Sequence, residues 1–306
     1  MWTCFLPFLF NRRHLFRSLV LIAGYLIFHQ DGCSCQESAP NLNSVPSDIS
    51  VPLVTDEPPA AGKRVHQKNR GLEDWDLSHV LYLPTDWLPG GVYPVIAEYP
   101  GNGGYKNKLG DESLGRPEDC KLGYGATGGI GAIWVSLPFV DTANQCHSIR
   151  WWGDADATTA YCRQTIERIC SEFGGDRKRV VLSGFSRGAI ACSYIGLRDD
   201  VTARLWCGLI AHSHYDGVRR WGYADDDPES AKKRLARFEG KAQFVSHENS
   251  VESTKRFLDG VNIETKYVAL PYPNHSDEWV LKDIPERTQL RAWLKEVFSE
   301  HKTKPN

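Results

Sequence analysis

A serine flanked by glycines offers the clearest chemistry in this chain. Gly184-Phe185-Ser186-Arg187-Gly188 follows the aliphatic run Val180-Val181-Leu182 and precedes a helix-forming stretch from Ala189 to Leu197. A strand that turns at once into a helix holds the intervening serine in a strained conformation and exposes its hydroxyl. Glycines are required on either side because a side chain there would strike the strand or the helix. A serine hydroxyl is a poor nucleophile at neutral pH and needs a base. His275 lies in Pro271-Tyr272-Pro273-Asn274-His275-Ser276, after the last expected strand and before the last expected helix. A loop there can return the imidazole over the sheet edge to Ser186, and turnover should then rise as that imidazole loses its proton. A carboxylate must hold the imidazole tautomer and stabilise the imidazolium. Glu248 is the best placed, in His247-Glu248-Asn249 at the end of a strand expected over Ala242–Ser246. Glu252, Asp216 and Asn249 stay open as alternatives. Glu252 would equally suit the first turn of a helix, Asp216 follows the preceding strand, and Asn249 would orient the imidazole without a charge.

A developing oxyanion needs two backbone donors. The amide of Arg187, directly after the nucleophile, is one candidate. The other is the amide of Asn102 in the loop Pro100-Gly101-Asn102-Gly103-Gly104-Tyr105, where glycines let the backbone approach a substrate oxygen closely. Trp151 and Trp152 could stack on a sugar or an aromatic acyl group, although core packing uses the same residue type. The Arg187 side chain is expected in solvent. Asn274-His275-Ser276 fits a glycosylation acceptor, but a glycan there would block the site just described. His212-Ser213-His214 places two histidines on one side of a strand end, yet no further ligand cluster accompanies them. No metal and no cofactor is expected: the folded part holds no CxxC pair, and Gly125, Gly128 and Gly129 precede a strand where a dinucleotide fingerprint would follow one.

The elements that must carry these residues alternate. Strands are expected at Val80–Leu83, Val92–Glu98, Ile130–Leu137, Arg179–Leu182, Leu205–Ala211, Ala242–Ser246 and Thr265–Leu270. Between them, Asp154–Phe173 shows helical spacing, with Cys162, Ile166, Ile169 and Phe173 on one face and Gly174-Gly175 to end it. Ser250–Leu258 reads as a further helix, and the chain closes on an amphipathic one bearing Leu290, Trp293, Leu294, Val297 and Phe298. Alternating strands and helices predict an α/β domain over residues 74–306, with a mainly parallel sheet covered by helices on both faces.

Hydrophobic residues at 41% and charged residues at 24% allow a large packed core and exclude wholesale disorder. A net charge of −2 gives no electrostatic reason to bind nucleic acid or an anionic membrane. Residues 1–35 read as a signal peptide or N-terminal anchor: Arg12, Arg13 and Arg17 precede the apolar run Leu19–Phe28, which is short for a membrane span. The protein is therefore expected to be secreted, periplasmic or otherwise extracytoplasmic, touching a membrane only if that segment stays uncleaved. Residues 36–73, interrupted by Pro40, Pro46, Pro52, Pro58 and Pro59, read as a flexible linker. The six cysteines of the folded part would permit up to three disulfides in an oxidising compartment.

On the glycine loop, the elbow at Ser186 and the Trp151-Trp152-Gly153-Asp154 entry to a helix, the chain resembles the α/β-hydrolase superfamily. Within it, the chain is similar to secreted esterases grouped with poly(3-hydroxybutyrate) depolymerases and with feruloyl and acetylxylan esterases. It departs from them in having Pro100-Gly101 where they usually have His-Gly, and no evident Asp after the penultimate strand. The resemblance implies an α/β-hydrolase fold with Ser186 as nucleophile and His275 as base. It further implies hydrolysis of a small-molecule or polymeric carboxylic ester through an acyl-enzyme. A serine peptidase would use the same residues, and an inactive carbohydrate-binding protein could retain them.

Overall fold

In a computed structural model, residues 40–301 are described. The readings made for residues 1–35 fall outside them. Thirteen strands follow in order: β1 (Val54–Thr55), β2 (Arg64–Gln67), β3 (His79–Tyr82), β4 (Tyr93–Tyr99), β5 (Tyr105–Lys106), β6 (Glu112–Ser113), β7 (Ile133–Ser136), β8 (Val140–Asp141), β9 (Cys146–His147), β10 (Gly175–Phe185), β11 (Gly208–His212), β12 (Ala242–Glu248) and β13 (Glu264–Leu270). Nine of them form one sheet in the order β1-β2-β3-β7-β4-β10-β11-β12-β13, and β5-β6 and β8-β9 are small antiparallel pairs. Only the two pairings made by β3 within the large sheet are antiparallel. The helices are α1 (Leu122–Thr127), α2 (Ala155–Glu172), α3 (Arg187–Tyr194), α4 (Asp200–Ala203), α5 (Pro228–Leu235), α6 (Glu252–Phe257) and α7 (Pro285–Glu300).

Alternation along the central strands feeds two cores. Val180 and Leu182 of β10, Val95 and Ala97 of β4 and Leu209 of β11 join one cluster with Cys162, Ile166 and Ile169 of α2. Their neighbours Val181, Ile96 and Ile210 join the other, with Leu290, Trp293, Leu294 and Val297 of α7. A strand buried on both faces reads as a continuous apolar run, which is why Val180-Val181-Leu182 stands out in the sequence. The fold class expected from the sequence is the one observed: a mostly parallel sheet with helices on both sides.

The flexible linker expected over residues 36–73 is corrected from residue 40 onward. Leu42 is fully buried in the second core, with Val45, Ile49 and Val51 packed against it. Lys282 Nζ donates to Val45 O at 2.8 Å, Arg287 Nη2 donates to Asp48 at 2.7 Å, and β1 and β2 extend the sheet. The segment has no apolar period because it is neither helix nor long strand. It lies along the domain on a few spaced anchors, and prolines suit such an extended path.

The disulfide expectation is also corrected. Cys120, Cys146, Cys162, Cys170, Cys192 and Cys207 are all unpaired. Four of them are buried as small apolar side chains, and burial pushes the Cys162 and Cys207 thiols up to about 12. Among the described residues, no helix is long and apolar enough to cross a membrane.

Candidate active site

β10 ends at Phe185 and α3 begins at Arg187, so Ser186 alone makes the turn, at φ 54° and ψ −113°. That is the left-handed side of backbone space, costly for a residue with a side chain and stored here by the packing around it. The two glycines are fixed by contact. A Cβ on Gly184 would sit 2.1 Å from the Gly188 backbone, and one on Gly188 would sit 2.0 Å from Tyr99 O of β4. The Ser186 amide donates to His212 O at 2.9 Å, which ties the turn to β11.

His275 Nε2 stands 3.0 Å from Ser186 Oγ. Its other nitrogen, Nδ1, lies 2.7 Å from Glu248 Oε1, the last residue of β12. Parallel neighbours β10, β11 and β12 therefore bring their C-terminal ends to one edge, and the loop after β13 closes over it. Burial alone would raise the Glu248 carboxyl. The hydrogen bond from His275 and the surrounding histidines instead hold it well below the usual range, so it is ionised at neutral pH. An ionised acceptor fixes the proton on Nδ1 and leaves the Nε2 lone pair facing the serine. The imidazole is wedged between aromatic rings, with Tyr105, Phe185 and His214 centroids 4.8, 4.9 and 5.0 Å away.

The other carboxylate and amide candidates lie elsewhere. Asp216 is buried in a two-pronged ion pair with Arg234, at 2.8 and 3.1 Å, and accepts from Tyr223 Oη at 2.7 Å. Glu252 is exposed in the first turn of α6 beside Lys255, and Asn249 is exposed at φ 62°.

Two residues that sequence reasoning passed over complete the geometry. Ser213, just past β11 at φ 81°, donates to Glu248 Oε1 at 2.9 Å and sits 2.7 Å from His275 Nδ1. Asp111 accepts from the His275 amide at 2.9 Å and from Asn274 Nδ2 at 2.8 Å, pinning the histidine loop. Ser213 could be sought as the residue after a strand neighbouring the elbow. Asp111, in a loop 164 residues earlier in the chain, carries no local signal. Asn274 is buried and also accepts the Leu42 amide at 2.8 Å, so the glycosylation reading fails for lack of access.

Arg187 differs from expectation. Its side chain is buried, not solvated: Nη1 donates to Trp151 O at 2.6 Å and Ser148 O at 3.2 Å, and Nη2 donates to Gly115 O at 3.1 Å. The guanidinium lies 4.0 Å over the Phe139 ring, and burial pushes it down to about 9, still protonated at neutral pH. It staples two cavity-wall loops together. Asn102 joins the same stitching, since its Oδ1 accepts the Trp151 amide at 2.8 Å while Gly103 N donates to Ile149 O at 2.7 Å.

Ser186, Asn102, Arg187, His275 and Glu248 all line one cavity of about 700 Å³, together with Trp151, Trp221, Phe185 and Ile190. Trp152 does not. It is buried between Phe139 and Tyr194, at centroid distances of 5.6 and 4.8 Å, so the substrate-contacting role expected for it is replaced by core packing. The histidine pair at 212 and 214 separates. His212 is buried with its ring nitrogens at 2.9 Å from Ser246 Oγ and 3.0 Å from Ser276 O, whereas His214 lines the cavity.

No protein-family model and no curated protein matches the sequence. Solved structures do match in shape. A fungal esterase of Rhizomucor miehei is 12% identical over 78% of this chain and 84% of its own, with a TM-score of 0.53. Esterase 2 of Thermogutta terrifontis, solved phosphorylated by paraoxon, is 13% identical over 79% and 96%, also at 0.53. A putative dipeptidyl aminopeptidase IV of Bacteroides ovatus is 15% identical at 0.51, but the match spans only 36% of that longer chain. The chain has the α/β-hydrolase fold.

Proposed function

We propose that this protein is a serine hydrolase that cleaves carboxylic esters through an acyl-enzyme. Ser186 Oγ attacks the carbonyl carbon while His275 Nε2 takes its proton. The tetrahedral oxyanion rests on the amides of Arg187 and Asn102. His275 then returns the proton to the leaving alcohol, and a water activated by the same imidazole releases the acid. One observation carries the reading: an unbroken chain of contacts from Ser186 through His275 to Glu248, at 3.0 and 2.7 Å, starting from a serine with positive φ. The esterase structures with this fold support it.

Ser186→Ala should cut turnover of p-nitrophenyl butyrate by about 10⁴-fold or more, with the fold intact by circular dichroism. Turnover at the wild-type rate in that variant would remove the proposal. A fluorophosphonate probe should label the wild type and not Ser186→Ala.

A serine peptidase of the same geometry is the second reading, favoured by the peptidase among the structures of this fold. Matched ester and anilide substrates separate the two. Within the esterases, the resemblance of the glycine loop, the serine turn and the Trp151–Asp154 stretch to secreted poly(3-hydroxybutyrate) depolymerases and feruloyl or acetylxylan esterases is what supports a small or polymeric ester as substrate. The basic and apolar character of residues 12–28 is what supports an extracytoplasmic enzyme.

A further inference from the structure

The charges around the cavity are one-sided. Glu248 is the only carboxylate among its described lining residues, and His275 already engages it. Two arginines, Arg150 and Arg219, line the same cavity and remain exposed to solvent. Neither forms an ion pair with any described residue, whereas half of the described arginines do. The nearby acids are committed elsewhere: Asp111 to the histidine loop, Glu112 to Lys106 at 3.1 Å, and Asp226 to the amides of Trp221 and Gly222 at 2.6 Å. Arg187 is spent on three carbonyls inside the wall.

The Arg150 and Arg219 guanidinium groups each lie against a wall of the cavity. Arg219 stacks on Trp221, its Cζ 4.4 Å from the ring centroid, and that indole also lines the cavity. Arg150 lies over Gly104 of the glycine loop, where a Cβ would come within 2.6 Å of its Nη2. A planar fork on an aromatic face, with no counter-charge, is arranged to receive a planar anion in two-point contact. The rest of the lining is mixed: Phe185, Ile190, Trp151 and Tyr105 stand beside the uncharged polar residues Asn102 and Ser113. The protein as a whole carries −2, so this positive patch is local and not a consequence of overall charge.

We infer that the ester taken by this site bears a carboxylate, bound by Arg150 and Arg219 while the scissile carbonyl lies at Ser186. The inference names the substrate class of the hydrolase proposed above and rests on that reading. It leaves the carboxylate on either side of the scissile bond, and two probe pairs decide between them. On the acyl side, p-nitrophenyl hydrogen adipate is compared with its methyl ester, and nitrophenolate release is followed. On the alcohol side, 4-carboxyphenyl butyrate is compared with phenyl butyrate.

One pair should show kcat/KM at least about 10-fold higher for the charged member, mainly through KM, and the preference should shrink as salt is raised to 0.5 M, as charge-assisted contacts at a solvent-exposed rim require. In Arg150→Gln/Arg219→Gln, kcat/KM for the charged ester should fall at least about 10-fold further than for its neutral partner, and lysines at both places should restore part of the preference. Equal kcat/KM within both pairs in the wild type, or equal loss for charged and neutral members in the variant, overturns the inference while leaving the hydrolase intact. Failure of the hydrolase itself looks different: neither ester turns over and fluorophosphonate does not label Ser186. Calorimetric titration of Ser186→Ala with the same esters then reads the arginines alone. Tighter binding of a charged member supports the anion site, and indifference to charge rejects it.

Discussion

Glu248 and Ser213 both reach His275 Nδ1 at 2.7 Å, but they do different things there. The carboxylate supplies a negative charge that stabilises an imidazolium, while the hydroxyl supplies a neutral contact and a donor to Glu248 Oε1. Glu248→Gln keeps the shape and removes the charge, so kcat should fall by about 10³-fold or more with KM little changed. Ser213→Ala removes one hydrogen bond to the ionised carboxylate but leaves its charge in place, a loss of order 1–2 kcal/mol, and should lower kcat roughly 5- to 30-fold. Steady-state kinetics on a p-nitrophenyl ester would show the gap, and comparable losses in the two variants would mean the charge is not what matters. Sequence position favoured Glu248 among four candidates because it ends the strand next but one to the elbow strand. Asp216 could be set aside only once its partner Arg234, 18 residues away, was seen to occupy it.

At the level of elements, the strand–helix turn at Ser186 tolerates nothing larger than hydrogen on its flanks. Gly188→Ala must push a methyl group into Tyr99 O, and the backbone of a central strand has little room to give. The urea midpoint should drop by the equivalent of about 3 kcal/mol or more, and a wild-type midpoint would refute the close approach. The segment before β1 tests a different contact. A side chain in a flexible tail changes stability by at most about 0.5 kcal/mol, whereas Leu42 is completely buried and its amide holds Asn274 next to His275. Leu42→Ala should therefore cost about 2–5 kcal/mol by urea titration. The glycine pattern made the turn readable because both requirements are local. The anchoring of this segment is not local, since Asn274, which accepts the Leu42 amide, and Lys282, which donates to Val45 O, lie more than 200 residues later.

For the molecule as a whole, buried histidines set the response to acid. Burial above all pushes His79 down to about 3, and His212 and His214 to about 4. In the unfolded chain each returns to about 6.5. Between those values the unfolded chain takes up protons that the native one refuses, so stability falls as pH falls, by up to about 1.4 kcal/mol per pH unit for each group. Glu98 acts in the opposite sense. Burial, chiefly, pushes it up to about 7 although four N–H groups point at it, so from there down to the ordinary carboxylate range the native chain holds a proton that the unfolded chain has released. Burial lowers His147 as well, while Asp277 is raised by burial and His66, which burial would lower, is raised by Asp56 and Glu118; the three large imidazole shifts outweigh these and Glu98, and predict a lower urea midpoint at pH 5 than at pH 7. A midpoint that is equal or higher at pH 5 would show that these imidazoles are not buried as neutral groups.

By itself the sequence determined the alternation of strands and helices, the double-sided burial of the central strands and the serine turn, because each depends on residues within one or two turns of chain. It also confined the imidazole to one loop and the acid to a short set. Tertiary structure alone decided which acid meets His275, that Arg187 turns inward to hold two loops, that Trp152 belongs to the core and that the stretch from residue 40 is packed. Each of those outcomes turns on a partner supplied by a distant segment, such as a carbonyl, a counter-charge or an apolar wall. Only the folded sheet, with the ends of its parallel strands gathered at one edge, brings such partners within reach.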